Sequence, residues 1–372
     1  MQYTKVGTAR STLCASVVCL VALTGAMAVA QDESLDALAK AGHWKRVRQV
    51  VQQRSSQPWN EADKAYWQAR VKQAFGDLDG AETLARKAIS LDGSNAAYHR
   101  QLASVSLDQM GNRPGMFKIM TLSREVRSEL QTALSLEPKN VDVMRALMEY
   151  LWEAPSIGGG DRQKARQLAG QIAQIDPLEG HLAQADVTEP TAEGNLKAEA
   201  ALKKAVEGFP RDYRARCALA EFYSTRADNY ALAEQEAKAA VTLAPDRAPA
   251  YAHLAAIYVH QHKWDQLDEM LGQAEKAVPD DLSPTFQAGR SLVLEKGDTD
   301  RAERYLRRYL TQEAEGGAPQ WGAAHWRLGL VFEKRGMKQK AVEELETAVR
   351  LQPGLYGAKK DLERLRQRLV QL

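Results

Sequence analysis

Prolines recur at nearly constant intervals along most of this 372-residue chain. Successive spacings are 39, 33, 35 and 34 residues, and the last is 74, counted between Pro138, Pro177, Pro210, Pro245, Pro279 and Pro353. Because proline cannot continue a helix, each of these residues predicts the end of a helix or the turn after it. The near-constant interval predicts a chain built from one repeated structural unit.

The unit between Pro245 and Pro279 shows the pattern most clearly. Its first half carries apolar side chains at i, i+3, i+4 and i+7, and its second half carries them at i, i+4 and i+7. This is the pattern of two amphipathic helices. The positions are Tyr251, Leu254, Ala255 and Tyr258, followed by Leu267, Leu271 and Ala274. The unit is therefore predicted to be a helix, a turn and a second helix.

A small residue recurs near the start of each predicted second helix. These residues are Ala81, Ala165, Ala198, Ala233, Ala302 and Ala341. A large side chain there would hold the paired helices apart, so the alanines predict close packing. The period and the order of small, large and aromatic positions resemble the tetratricopeptide repeat family.

The resemblance implies an all-α fold, a solenoid of helical hairpins that winds as a right-handed superhelix. We expect about nine repeats over residues 31–353, and a helix over residues 354–372 that caps the open end of the solenoid. The last proline spacing exceeds two 34-residue repeats by six residues (74 − 68). We expect these extra residues in the segment Glu315–Ala318.

Residues 1–30 have the features of a secretory signal peptide. Lys5 and Arg10 precede an uncharged run that ends with Ala28 and Ala30, just before Gln31. A basic start, an apolar middle and small residues at positions −3 and −1 predict cleavage after Ala30 and export to the periplasm. An uncleaved membrane anchor is the alternative, because the run approaches the length that spans a bilayer.

Removal of residues 1–30 would leave Cys217 as the one remaining cysteine, so no internal disulfide is expected. It would also change the formal net charge from +2 to 0, since Lys5 and Arg10 are the only charged residues removed. A neutral chain lacks the electrostatic footprint for binding nucleic acid or an anionic membrane, and we expect neither. Beyond residue 30 no apolar run is long enough to span a bilayer, so no membrane insertion is expected after cleavage.

Residues 154–161 interrupt the repeat pattern and account for the 39-residue spacing. Gly158, Gly159 and Gly160 precede Asp161, and this run could form a backbone nest that binds an anion. The alternative is a turn in which Asp161 caps the next helix. The patterns also predict a long helix from Met116 to Leu136, and a short helix before the polar stretch 188–195.

Residues with metal-binding or catalytic chemistry are few. His253 and His260 share one predicted helix face, with His262 nearby, but no Cys, Asp or Glu completes a metal site at a suitable spacing. Cys217 would need a histidine from another repeat in order to act as a nucleophile. We therefore expect no metal, no cofactor and no catalysis. An enzyme that uses Cys217 or the histidine cluster is the alternative.

In the tetratricopeptide family the first helix of each repeat lines the concave surface, so its non-packing positions are candidates for contact with a partner. The resemblance places Arg214, Glu221, His253, Ala256, Phe286, Arg290, Trp326, Arg327 and Leu330 at such positions. Arginine and tryptophan are enriched where binding energy concentrates. For Phe286 and Trp326, packing between repeats is the alternative.

These features predict a non-enzymatic periplasmic scaffold that binds a protein or peptide partner in its concave groove. By analogy with the family, cell-envelope assembly or secretion would suit such a scaffold. The alternative is a membrane-tethered assembly factor that keeps its N-terminal helix.

Overall fold

The computed structural model describes residues 34–54, 58–111 and 115–370. The predicted signal peptide, residues 1–30, lies outside these residues. The described residues contain 19 α-helices and one short 3₁₀ turn, and they contain no β-strand. The predicted all-α fold is therefore confirmed.

The helices form nine successive pairs and one last helix. The first five pairs are α1 (Leu35–Ala41) with α2 (Trp44–Arg54), α3 (Glu61–Ala74) with α4 (Leu78–Leu91), α5 (Ala96–Gly111) with α6 (Met116–Leu136), α7 (Val141–Glu153) with α8 (Arg162–Ile175), and α9 (Pro177–Asp186) with α10 (Ala192–Gly208). The next four are α11 (Tyr213–Thr225) with α12 (Tyr230–Leu243), α13 (Ala248–His260) with α14 (Trp264–Ala277), α15 (Ser283–Leu294) with α16 (Thr299–Tyr309), and α17 (Trp321–Lys334) with α18 (Lys338–Leu351), and α19 (Tyr356–Val370) follows. Each helix packs against its neighbours along the chain, and the first helices of successive pairs also contact one another.

The prolines mark the ends of second helices. Helix α12 ends at Leu243 and α14 ends at Ala277, each two residues before the next proline, Pro245 or Pro279. Pro177 differs, because it is the first residue of helix α9. Proline is tolerated there because the first turn of a helix leaves its N–H groups without a helical partner.

Close approach of the two helices in a pair depends on small residues on both of them. Ala341 is fully buried near the start of α18. A methyl group at Gly329 on α17 would lie 2.7 Å from Leu345 Cγ and 3.2 Å from the Ala341 carbonyl oxygen. A methyl group at Gly289 would similarly lie 2.8 Å from Leu306 Cγ. Larger residues at these positions would force the paired helices apart.

The C-terminal helix α19 covers the last pair. On α19, the side chains of Ala358, Leu362 and Leu365 are buried against the helices of that pair. Arg364 forms a bidentate ion pair with Glu333 on α17. The last apolar face of the solenoid is thus covered, which keeps it from water.

The N-terminal pair contacts a distant part of the chain, the loop between α16 and α17 (residues 310–320). Arg48 on α2 donates hydrogen bonds to both carboxylate oxygens of Glu313, at 2.8 and 2.6 Å. The Gly317 N–H donates to the Ala74 carbonyl oxygen at 2.8 Å. Ala74 is the last residue of α3, so the first two pairs both contact this loop, and these bonds close the solenoid on itself.

Among the helices of the described residues, none is both long and apolar enough to cross a membrane.

Replacing Ala341 with tryptophan should destabilise the last pair, because the larger side chain cannot fit between α17 and α18. Overpacking of this kind typically costs about 1–3 kcal/mol or more. Thermal unfolding followed by circular dichroism should show a lower midpoint, with melting that begins at the C-terminal end. Lys338→Trp is the control, since Lys338 is exposed on the same helix. Equal midpoints for Ala341→Trp and the parent would show that the packing at this position is not tight.

Candidate functional site

The first helices α11, α13, α15 and α17 stand side by side and form a continuous surface, which we call the groove. It contains a cavity of about 590 Å³. Four residues predicted from the sequence line this cavity: Glu221 on α11, His253 and Ala256 on α13, and Arg290 on α15. The repeat register inferred from the prolines thus brings these positions together.

The two aromatic residues predicted for the groove have structural positions instead. Phe286 is 4% exposed, and its ring packs 5.1 Å from the Tyr309 ring. The Trp326 Nε1–H donates to Asp361 Oδ2 at 2.9 Å. The Trp326 ring also packs so closely on α19 that a methyl group at Gly357 would lie 2.3 Å from it. Both predictions were wrong, because these rings hold neighbouring helices together.

Two further predicted residues lie outside the cavity. Arg214 is exposed and pairs with Glu179 and Asp212, so its guanidinium group joins α11 to α9. Leu330 lines a separate cavity of about 380 Å³ formed by α15, α16 and α17. Neither residue faces the Arg290 cavity.

Arg290 and Arg327 form no ion pair within the described residues. The Arg290 guanidinium donates one long hydrogen bond, 3.3 Å, to the Gln287 side-chain oxygen. The Arg327 Nε is buried without a hydrogen-bond partner, and its guanidinium lies 4.1 Å from the centre of the Trp326 ring. Burial and the nearby positive charge of Arg290 lower the pKa of Arg327, against a smaller opposing effect of Asp361. These two cations are therefore available to an added anion.

His253, on α13, lies between Glu221 on α11 and Arg290 on α15. Burial lowers the pKa of His253, and the negative charge of Glu221 opposes that effect only in part. The imidazole is therefore neutral near pH 7, since the ordinary pKa of histidine is already about 6.5. A neutral histidine offers one donor and one acceptor to a bound segment.

A second cavity, of about 400 Å³, continues the groove toward the middle of the chain. It shares Glu221 and Thr225 with the first cavity, so the two adjoin. Its carboxylates are Glu149, Glu153, Asp186 and Glu221, and Arg226 is its one lining cation. Arg226 is already committed to hydrogen bonds with Asn195 and the Glu189 carbonyl oxygen. Arg145 pairs with Glu149 and Asp186, so Glu153 and Glu221 are the lining carboxylates without an ion pair among the described residues. The groove is therefore acidic at the Glu221 end and basic at the Arg290 end.

Two walls of the 590 Å³ cavity come from segments that sequence analysis did not assign to the groove. One wall is residues 41–43 in the N-terminal pair, and the other is residues 316–319 in the α16–α17 loop. His43 is 5% exposed, and its Nε2 lies 3.6 Å from Asp246 Oδ2. The extra length of the loop is visible in the sequence, but the segment that it contacts is not.

The glycine loop is a structural turn, and the anion-nest hypothesis was wrong. All four N–H groups that a nest would use are donated internally. The bonds run from Gly158 to the Pro155 oxygen (2.8 Å), from Gly159 to Ser156 (3.0 Å), from Gly160 to Pro155 (3.1 Å) and from Asp161 to Leu151 (2.8 Å). The Asp161 carboxylate caps α8 by accepting from the Lys164 N–H at 3.0 Å.

The residues of the enzyme alternative do not assemble into a site. Burial raises the pKa of the Cys217 thiol to about 11, so it is not a reactive thiolate at neutral pH. The His260 ring stacks on Tyr230 at 3.7 Å, whereas His253 points into the groove cavity and His262 is exposed. Within the described residues no group of three His, Cys, Asp or Glu side chains is placed to hold a metal ion. The absence of catalysis and of a cofactor stays a prediction.

The comparisons with known proteins agree with this architecture. Residues 291–356 match the family model of the tetratricopeptide repeat. Yeast Tom70 is similar at 13% identity over 91% of this chain and 89% of that chain, with a TM-score of 0.50. A tetratricopeptide repeat protein from Parabacteroides merdae matches at 14% identity, over 82% of this chain and 99% of that chain, with a TM-score of 0.41. No curated protein matches the sequence.

Residues 291–356 are therefore tetratricopeptide repeats, and the described chain has the fold of a tetratricopeptide-repeat solenoid. At such low identity the likeness to Tom70 bears on the fold alone. Stacked repeats of this kind present an extended surface for binding, which supports a role as a protein-interaction scaffold.

Gly160→Ala should destabilise the protein, because the added methyl group would lie 1.8 Å from the Ala154 carbonyl oxygen. We expect a loss of about 1–3 kcal/mol, the usual cost of overpacking. Gly170→Ala is the matched control, since no atom lies within 4 Å of the added methyl group on helix α8. That change should stabilise the helix by about 0.5–1 kcal/mol. Urea unfolding of both variants measures the difference, and equal stabilities would contradict the loop geometry.

Proposed function

We propose that this protein is a scaffold that binds an extended segment of a partner protein in the groove, with a carboxylate of that segment on Arg290 and Arg327. The observation that carries the proposal is that these two guanidinium groups, on neighbouring first helices, have no carboxylate partner among the described residues. Other arginines in the same half of the chain are paired, for example Arg308 with Glu275 and Arg335 with Asp300.

The local electrostatics favour an added anion. Arg327 is half-buried and near Arg290, and both conditions oppose its positive charge. A carboxylate placed between the two would offset the repulsion and satisfy the buried Nε–H. Charge-assisted hydrogen bonds of this type are roughly twice as strong as neutral ones. Partial exclusion of water from the cavity strengthens them further.

The acidic end of the groove offers a second charged contact to the bound segment. Glu221 forms no ion pair among the described residues, and it stands two first helices away from Arg290. Adjacent packed helices lie about 10 Å apart, so the two charges are separated by roughly 20 Å. An extended chain covers that distance in about six residues. We therefore infer a segment with a basic side chain near Glu221 and a carboxylate about six residues away, bound in one direction.

Export to the periplasm is part of the same proposal. Its support is the order of Lys5, Arg10, the uncharged run and the small residues Ala28 and Ala30 before Gln31. A periplasmic scaffold of this form would suit cell-envelope assembly or secretion. A membrane-tethered factor that keeps residues 1–30 is the second candidate, because the uncharged run approaches the length of a membrane span.

Arg290→Ala combined with Arg327→Ala should weaken binding without changing the fold. A peptide library displayed against the parent protein should enrich segments with Asp, Glu or a C-terminal carboxylate at one end and Lys or Arg about six residues away. The double variant should bind the selected peptides at least about thirtyfold more weakly, which is the loss expected for a binding hot spot. Its thermal midpoint should stay nearly unchanged.

The matched control is Arg304→Ala with Arg366→Ala, two exposed arginines that lie outside both groove cavities. This control should bind the selected peptides as the parent does. A large fall in the midpoint of Arg290→Ala/Arg327→Ala would mean that these residues are structural. Unchanged affinity in a folded double variant would mean that the partner binds elsewhere.

The exported protein should begin at Gln31. Intact-mass measurement of protein recovered from the periplasmic fraction should give the mass of residues 31–372. A mass that includes residues 1–30, together with sedimentation in the membrane fraction, would favour the tethered factor over the exported scaffold.

A further inference from the structure

The N-terminal pair, residues 35–54, lies over the groove, and we call it the lid. Its polar contacts reach the α16–α17 loop and the start of α15. The Lys45 ammonium donates to the carbonyl oxygens of Asp280 at 2.5 Å and Glu313 at 2.7 Å. Arg48 pairs with the Glu313 carboxylate through two hydrogen bonds, and Arg46 lies 3.4 Å from the Asp280 carboxylate. These residues are more than 230 positions apart in the sequence.

One apolar contact fixes where the lid sits. Trp44 packs on Gly316 so closely that a methyl group on Gly316 would lie 2.3 Å from Trp44 Cβ. The following residue, Gly317, has a φ of +80°, a conformation that favours glycine. The two glycines allow the loop to turn against the tryptophan.

Glu315 lies under the lid and is only 2% exposed. Its Oε1 accepts hydrogen bonds from the backbone N–H groups of Lys45 (2.6 Å) and Gly316 (2.9 Å). Its Oε2 is buried without a hydrogen-bond partner in the described chain. A buried carboxylate that is only half satisfied is costly. Closure of the lid therefore buries a carboxylate at a cost in free energy.

The contacts of the lid with the α16–α17 loop are weak compared with those between repeats. The Arg48 and Glu313 side chains are 30% and 53% exposed, and exposed ion pairs typically contribute about 0.2–1 kcal/mol. Neighbouring repeats, by contrast, bury apolar cores. The lid shares an apolar core with α3, in which Val47 and Val51 pack with Tyr66 and Trp67. Opening therefore breaks the polar bonds to the loop while this core stays intact, so the lid can swing about α3 without unfolding the rest of the solenoid.

We propose that the α1–α2 pair is a lid over the cavity of His253 and Arg290, and that it must open for a partner segment to enter. In the closed form, residues 41–43 of the lid and residues 316–319 of the loop wall in the cavity. The entry of a partner rests on the function proposed above, whereas the opening of the lid does not.

The protonation of Glu315 sets how firmly the lid closes. Burial raises the pKa of Glu315 to about 7 in the closed form, from an ordinary value of 4.5. A carboxyl group that binds its proton more tightly in the closed form favours closure at low pH. Closure therefore weakens as the pH rises from about 4.5 to about 7.

Several other charged groups face Glu315 or the lid. Their effects on closure must be distinguished from the effect of the Glu315 carboxyl group. Lys45 and Asp281 act on Glu315 itself, while Arg48 and Tyr309 also sense its charge. Glu313 pairs with Arg48 within the same contact. His43 on the lid faces Asp246, with its Nε2 3.6 Å from the carboxylate. A Glu315→Gln variant isolates the carboxyl group, because glutamine keeps the shape and cannot ionise.

Access to the cavity can be measured with a thiol placed inside it. In the full chain with Cys14, Cys19 and Cys217 replaced by serine, Ala256→Cys puts one thiol on the cavity wall. We compare its labelling rate with a polyethylene-glycol maleimide and with N-ethylmaleimide. The ratio of the two rates cancels the pH dependence of the thiolate and reports how often the cavity is open to a bulky molecule.

In this background Glu313→Gln should raise the bulky-to-small ratio by up to about fivefold, because it removes the exposed ion pair with Arg48. Glu275→Gln is the matched control, since Glu275 makes a similar exposed two-bond pair with Arg308 between repeats. That control should leave the ratio unchanged. Similar thermal midpoints for the two variants would confirm that only the lid has moved.

The ratio should also rise about tenfold between pH 6 and pH 8 in the parent background, and Glu315→Gln should abolish most of that rise. A parent ratio that is already high, or one insensitive to both Glu313→Gln and pH, would overturn the proposal. A pH response that survives Glu315→Gln would overturn the role of Glu315. Because no partner is used, failure of the Arg290 proposal leaves these results standing.

Discussion

The close approach of paired helices at small residues is the constraint on which the rest of the structure depends. At Gly289 and Gly329, a single added methyl group would overlap a leucine of the partner helix. Since the same packing recurs along the chain, each pair repeats the geometry of the one before it. That repetition places the first helices side by side, and their exposed faces become one groove. The chemistry of the groove is therefore a consequence of how tightly each pair packs.

The polar groups of this groove differ from those elsewhere on the surface. Most described arginines in the second half of the chain are paired across neighbouring helices, and such pairs join one repeat to the next. Within the part of the chain that the structure describes, Arg290 and Arg327 form no ion pair, and the acidic cavity around Glu221 adjoins the cavity that Arg290 lines. An unpaired charge in a partly enclosed site costs free energy unless a ligand compensates it. This cost is the reason why we propose the groove as the binding surface.

The lid introduces a second kind of contact into a solenoid. Repeats are stabilised by apolar burial between neighbours, which is cooperative along the stack. The lid shares such an apolar core with α3, but it contacts the α16–α17 loop, more than 230 positions away, through polar bonds and one tryptophan. The difference in strength separates two functions within one chain, a stable frame and a closure that can open. The buried carboxyl group of Glu315 links that closure to pH.

The sequence by itself determined the helices, their pairing and the small residues between them, because all of these depend on local periodicity and on proline. It also placed Glu221, His253 and Arg290 on one surface, since the repeat interval fixes the register. It left open whether Asp161 binds an anion or caps a helix, and only the internal hydrogen bonds of the loop decided this. The positions of Phe286 and Trp326 were decided by tertiary structure, because a ring at the edge of a helix face can turn toward a neighbour or toward the groove. The position of the lid was also decided by tertiary structure. Contact between residues 48 and 313 depends on the small rotation from each pair to the next, added up along the whole stack. No local sequence pattern encodes that total rotation.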